Sequence, residues 1–345
     1  MWNNFYHLCL LKLNRIFKFV DGGHHLLSIY SPYMTFKEPK WVKNIANLNE
    51  IKPTTFKVLR DNKSVVLFKD VIVSMKTGNV YKQIDNKVYY IIESDYRHSY
   101  QALWSGRRPT KKPNSVVNEE VVVVPHRSGN YYHFLIEELP DILQEIEQGP
   151  KRIIASINLG QFAKDTLDFK FEVEYIYQRE LFAKQLIKMP KVLDPDSIMS
   201  YKRLKIVKNH FIDVKPRMSI GLKIFIQRDS NDEFEKMVSN IFYRQGYLIL
   251  DPVKLSIFDQ VRFFKSATHI AGIAGAGFAN LIFTNSNKST VTAIQIIDAR
   301  ENCQKNQRSY GGIFWEPFCF ALKIKYKLMF FQEEKSFVNS IKKFK

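Results

Sequence analysis

The stretch Thr268-His-Ile-Ala-Gly-Ile-Ala-Gly275-Ala-Gly277-Phe-Ala-Asn280-Leu281 reads as a strand running into a glycine-rich turn and then a helix. Glycine at such a turn lets the backbone come close to a bulky neighbour. Working outward, Leu222 to Ile226 has the texture of a strand, Asp232 to Gln245 that of a helix closed by Gly246, and Tyr247 to Leu250 that of a second strand. Ser256 and Asp259 have capping-box spacing and open a helix to about Ser266. Beyond the glycine turn, a short helix runs through Phe283 and a strand follows from Val291 to Ile297. This alternation predicts a doubly wound parallel sheet, whose ligands sit outside the carboxyl ends of its strands.

A second alternating region precedes it. Val121 to Val124 is an unbroken β-branched run, as in a strand buried on both faces; a helix follows from about Tyr131 to Gln148, then a strand from Arg152 to Ala155. Residues 50–100 carry short β-rich runs (Val65 to Phe68, Val71 to Met75, Lys87 to Ile92) and predict a small β-rich entry region. The segment 106–113 is basic and broken by proline, which marks a loop; it could bind an anion, but a solvated loop is the plainer reading. Val214-Lys215-Pro216-Arg217 has the composition of a linker. The expected division is therefore 1–215, 216–322 and a basic tail, 323–345, with seven lysines, two glutamates and a helical end.

With 345 residues, 45% hydrophobic and 25% charged, the chain is long enough for two domains and has the composition of a folded protein. Its net charge of +18 favours polyanionic partners: nucleic acid, anionic lipid or phosphorylated substrates. No run resembles an RNA-reading signature, and there is no Walker lysine motif and no nucleophile elbow. Cys9, Cys303 and Cys319 fit neither a disulfide framework nor a zinc site, which predicts a reducing compartment and a cytoplasmic location. No apolar run approaches the roughly 20 residues of a membrane span. Phe5, Leu8, Leu11 and Phe19, beside Lys12, Arg15 and Lys18, suit either an interfacial helix on the inner face of a membrane or an ordinary packed one. Asp194-Pro195-Asp196 reads as a turn, and His24-His25 has no partner at metal-ligand spacing.

Two constellations carry chemistry. The first is the glycine turn, where the opening amides of the helix suit a diphosphate, although glycine and alanine there also serve close packing alone. The second is His126-Arg-Ser-Gly-Asn130-Tyr-Tyr-His133-Phe-Leu-Ile-Glu137-Glu-Leu-Pro140-Asp141. At 100° per residue Leu135, Leu139, Ile142 and Ile146 form one stripe, with His133, Glu137 and Gln144 opposite it. His133 and Glu137, one turn apart, can hold a group ready to take a proton; the plainer reading is a solvent-facing surface with Asn130 as N-cap. Pro140, which should kink the helix, is an odd choice for a purely structural surface.

These two blocks, in this order and about 145 residues apart, resemble glycosyltransferase family 61. The first matches as Asn130 to Asp141. The second matches as Ile224-Phe-Ile-Gln-Arg228, Gln245-Gly-Tyr247, Ala274 to Leu281 and the strand Ala293-Ile-Gln-Ile296. The resemblance covers about 120–300 and departs at two positions: Ala274 stands where the family has histidine, and Gln295 where it often has an acid. It implies a GT-B architecture of two Rossmann-like domains with the cleft between them, the first binding acceptor and the second the nucleotide sugar. It also implies an inverting, metal-independent reaction in capsule or surface-polysaccharide synthesis. The donor, expected to be UDP-linked, is a substrate, so no cofactor is expected.

The resemblance points to Arg228, Gly275, Ala276, Gly277 and Asn280 as donor-binding residues, and to Asn130 and Tyr132 for the acceptor or cleft. Glu137 is the first candidate base and His133 the second. The expected partners are a nucleotide sugar, a glycan or lipid-linked acceptor and an anionic membrane surface, without nucleic acid. A catalytically inactive nucleotide- or glycan-binding protein is the alternative, and a dehydrogenase a weaker rival whose acidic residue would be Asp298.

Overall fold

The computed structural model describes residues 45–46, 56–58, 65–84, 87–91, 113–126, 129–189, 201–218, 221–228, 231–273, 275–285, 290–298 and 311–342. The N-terminal amphipathic segment, His24-His25, most of the loop 106–113, Asp194-Pro195-Asp196, Ala274, Cys9 and Cys303 lie outside them.

The described strands form two sheets. The first contains β1 (Ile45–Ala46), β2 (Phe56–Val58), β3 (Val66–Ser74), β4 (Val80–Ile84), β5 (Lys87–Ile91), β6 (Val116–Val124), β7 (Arg152–Ser156), β8 (Glu174–Ile176) and β9 (Glu180–Lys188). Its order is β1-β5-β4-β3-β9-β6-β7-β8, with β2 also paired to β3. The described part of the β-rich entry region is thus an extension of this sheet. β9 pairs antiparallel with β3, from Val66↔Lys188 to Ser74↔Glu180, and parallel with β6, so one strand joins both parts. The two sequence runs at 65–68 and 71–75 are the single strand β3, interrupted by Asp70 at φ 52°. The register is unbroken there: Lys69 faces Gln185, Val71 faces Ala183, and Lys184 Nζ lies 3.4 Å from Asp70 Oδ1.

The second sheet is wholly parallel: β10 (Leu222–Ile226), β11 (Leu248–Leu250), β12 (Ala267–Ile273), β13 (Thr292–Asp298) and β14 (Lys325–Phe331), in the order β11-β10-β12-β13-β14. The segment expected as a basic tail therefore supplies the edge strand β14, whose Met329 and Phe331 are buried, and only its end is helical.

The helices are α1, with a wide π segment His133–Glu138 continuing as α-helix Leu139–Ile146, α2 (Gln161–Asp168), α3 (Tyr201–His210), α4 (Glu233–Tyr243), α5 (Ile257–Ser266), α6 (Gly311–Ala321) and α7 (Glu334–Lys342). Asp232 caps α4 by accepting from the Glu235 N–H at 2.8 Å, and Ser256 caps α5 by accepting from the Asp259 N–H at 3.1 Å. The glycine turn enters a 3-10 helix, Ala276–Phe283. α4 and α7 cover one face of the second sheet through Val238, Phe242, Phe337 and Ile341 against Phe225, Ala271, Ile294 and Met329.

The other face belongs to the largest core. One cluster joins Val122 and Val124 of β6, Leu135, Leu139 and Ile142 of α1, and Leu204 and Val207 of α3 to Ile224 and Ile226 of β10, Val261 and Phe264 of α5, Phe278 and Leu281, and Phe318 of α6. The stripe predicted for α1 is thus the face that builds the core. Between α3 and β10, where the division at 215/216 was expected, the buried Lys265 Nζ donates to the carbonyls of Phe211 (2.7 Å), Ile212 (3.1 Å) and Val214 (2.6 Å). Three carbonyls at a helix end offset the cost of burying that ammonium group.

Candidate active site

In the second sheet β10 runs on to β11 on one side and β12 to β13 on the other, so the strand order reverses between β10 and β12, and ligands of such sheets sit outside the carboxyl ends of the strands at that point. β10 leads into Gln227-Arg228 and β12 into Gly275, and the two meet. A Cβ on Gly275 would stand 2.6 Å from Arg228 Cδ and 2.8 Å from Nη1, so the arginine side chain lies against the glycine backbone. Gly275 itself is extended (φ 170°), and only the close approach demands glycine. The buried carboxylate of Glu235 accepts from the Arg228 backbone N–H and fixes the loop from which the arginine projects.

The other two glycines serve packing. A Cβ on Gly277 would meet Ile226 Cγ2 at 2.8 Å, and one on Gly272 would meet the Ile226 carbonyl oxygen at 3.0 Å and Phe278 Cε2 at 3.2 Å. Ala276 is half-buried at the first position of the 3-10 helix. Asn280, expected among the donor-binding residues, is fully buried and its amide is engaged inside the protein: Nδ2 donates to Gln260 Oε1 (2.8 Å) and to the Gly277 carbonyl (3.1 Å), while Oδ1 accepts from the Tyr131 hydroxyl (2.7 Å).

That last bond ties the second constellation to the first, across 149 residues of sequence. Burial raises the Tyr131 phenol well above its ordinary pKa, partly opposed by the bond to Asn280, so the hydroxyl remains a donor. Next to it, Tyr132 packs edge-on against Trp315, which also touches Phe278. Asn130 is exposed and caps α1, its Oδ1 accepting from the N–H groups of Tyr132 (2.9 Å) and His133 (3.4 Å).

The π segment explains how proline fits the helix. The Leu139 N–H donates five residues back, to Phe134, and Pro140, which has no N–H to give, stands at the start of the α-helical part. Such wide turns recur at functional sites. Within this one, His133 Nδ1 lies 3.0 Å from Glu137 Oε2, with the imidazole side chain 24% exposed and the carboxylate 8%. Glu137 is thus turned into the protein, and a solvent-facing surface does not describe it. A carboxylate bound to Nδ1–H fixes the tautomer and leaves Nε2 to accept a proton.

Sequence reasoning missed the groups that brace this helix. Arg203 of α3 pairs with Asp141 and donates to the Glu137 carbonyl at 3.0 Å, and Glu145 Oε1 accepts from the Met189 N–H at 2.8 Å. Arg203 is 62 residues from Asp141, beyond the reach of any helical periodicity. Tyr131 was legible only as a neighbour of Asn130. Among the described residues no group of three His, Cys, Asp or Glu side chains could hold a metal ion, and no helix is long and apolar enough to cross a membrane.

No curated protein matches the chain. The family model described as Glycosyltransferase 61 matches residues 131–292. That span begins at the tyrosine bonded to Asn280, takes in the His133–Glu137 pair, and includes Arg228 and the glycine turn. Residues 131–292, which hold most of the two blocks, thus match glycosyltransferase family 61.

Proposed function

We propose that the chain is an inverting, metal-independent glycosyltransferase of GT-B architecture. In this reading it moves a hexosyl, pentosyl or N-acetylhexosaminyl group from a nucleoside diphosphate, with uridine diphosphate as the carrier, to a glycan or lipid-linked hydroxyl. Its setting is capsule or surface-polysaccharide synthesis in the cytoplasm at the inner face of the membrane. The observation that carries the reading is Arg228 seated on Gly275 at the switch point of a doubly wound sheet, where a diphosphate meets a guanidinium and backbone amides together. The guanidinium there supplies positive charge without a metal ion.

In the reaction the acceptor oxygen attacks the anomeric carbon opposite the diphosphate and gives up its proton as the bond to the diphosphate oxygen breaks. Inversion follows from that line of attack. His133 Nε2 takes the proton, and Glu137 holds the ring and balances the imidazolium; this reverses the order in which the two were ranked from sequence, because the imidazole is the more exposed of the pair. Arg228 and the turn amides receive the charge on the leaving diphosphate. Asn130 supports this helix as its cap and Tyr132 through packing, while Asn280 shapes the turn from beneath.

A panel of nucleotide sugars, scored for protection against thermal unfolding and for transfer or donor hydrolysis, tests the reading. One donor should protect and turn over. His133→Gln should lower turnover by about a hundredfold or more with donor protection unchanged, and Glu137→Gln should do so to a smaller degree. Protection without turnover by the unaltered chain would favour an inactive binding protein, the reading that Ala274 at the family's histidine position keeps in view. Protection by no member of the panel would overturn both.

A further inference from the structure

At the amino-terminal end of the second sheet, one rung crosses four strands: Lys223 of β10 faces His269 of β12, His269 faces Thr292 of β13, and Thr292 faces Lys325 of β14. Side chains of a rung share a face, and these lie two or four residues before Phe225, Ala271, Ile294 and Met329, which pack under α4 and α7. The rung continues that face beyond its apolar part. Lys327, on the same face of β14, adds a further ammonium group. Long flexible arms stand on β10 and β14 with shorter side chains on β12 and β13 between them, so two ammonium groups flank His269 and Thr292 on one rung.

Lys223 and Lys325 have no ion pair among the described residues, and Lys223 Nζ lies 5.8 Å from the centre of the Tyr247 ring. The imidazole of His269 is held below its usual pKa by burial first and then by two positive neighbours, Lys223 and Lys327. Lys327 is lowered by burial and by Lys325. Like charges gathered on one sheet face repel, and an anion between them removes that repulsion.

We propose that Lys223, His269, Thr292 and Lys325, with Lys327 beside them, form a binding site for a phosphate group. It is separate from the proposed donor site: from Lys223 to Arg228 is five residues of near-extended chain, about 16 Å, towards the opposite end of the sheet. The phosphate is that of a free anion or of a phospholipid headgroup, chemically alike to these side chains.

The test uses the full chain and two arms. Inorganic phosphate and pyrophosphate are titrated calorimetrically, and co-sedimentation is measured with phosphatidylcholine vesicles with and without phosphatidylglycerol. The unaltered chain should bind in at least one arm, and which arm it is names the source. Lys223→Gln/Lys325→Gln should bind at least tenfold more weakly in that arm, while Lys223→Arg/Lys325→Arg should keep the affinity. The glutamine variant should unfold at the same temperature as the parent or a higher one, since it loses repulsion rather than packing. Absence of binding in both arms, or a glutamine variant that binds like the parent, overturns the site. Nucleotide-sugar protection measured on the same variants should be unchanged, so this result stands or falls apart from the transfer reaction.

Discussion

Gly275 and Gly277 are two residues apart and answer to different neighbours. A methyl group on Gly275 would push against the Arg228 side chain, which is half-buried and can move aside. A side chain on Gly277 would push against Ile226, which is fully buried in the shared core. Gly275→Ala should therefore cost less than about 1 kcal/mol of stability yet weaken donor protection severalfold by displacing the guanidinium. Gly277→Val should cost roughly 1–3 kcal/mol by overpacking. Paired denaturation and donor titrations check both; equal stability losses, or unaltered donor affinity in Gly275→Ala, would count against the distinction. The sequence showed that glycine mattered here but not which backbone it let near, because strand-to-helix packing and ligand approach call for the same residue.

At the same scale, His210 sits among Phe169, Phe171 and Phe211, and its Nε2–H donates to the Thr166 carbonyl at 2.8 Å. Burial lowers its pKa from the ordinary 6.5, with a smaller lowering from Lys170 and a partial opposing effect from the bond to Thr166. A histidine kept neutral in the folded state contributes fully above the unfolded value and is a liability below it, as the unfolded chain takes up the proton first. Urea denaturation should show stability falling as pH drops below about 6.5. His210→Gln, less stable at neutral pH, should lose that part of the slope; an unchanged slope would assign it to other groups.

At the scale of elements, α1 was legible as a helix because its apolar stripe has the right period, and Pro140 was legible as an anomaly. The wide turn that accommodates the proline was not, since a backbone bond five residues back leaves no mark on side-chain periodicity. β9 was missed because Glu180-Leu-Phe-Ala-Lys-Gln-Leu-Ile-Lys188 mixes charge into a strand with sheet on both sides. The bond from Tyr131 to Asn280 couples α1 to the 3-10 helix, and Tyr131→Phe removes it while keeping the ring against Phe162. The buried Asn280 oxygen left behind should cost about 1–3 kcal/mol. A midpoint unchanged in thermal or urea denaturation would mean that another group takes the bond.

Across the whole molecule, the second sheet was readable strand by strand up to β13, since its βαβ units are short and punctuated by glycine and capping residues. The fifth strand was hidden in lysines: Lys325 and Lys327 stand on the polar end of a face that only later turns apolar at Met329 and Phe331. The meeting of the two halves was not readable at all, because contacts between α1, α3, α5 and the 3-10 helix arise only when distant segments fold together.

That meeting has a thermodynamic consequence. Side chains from both sheets belong to one apolar cluster, and Lys265 fastens the chain between them, so neither half can melt without exposing the core surface of the other. Scanning calorimetry should record a single endotherm whose van't Hoff and calorimetric enthalpies agree, with amide exchange in β6 and β12 reporting the same opening free energy. Two resolved transitions would show that the sheets are independent folding units that merely touch.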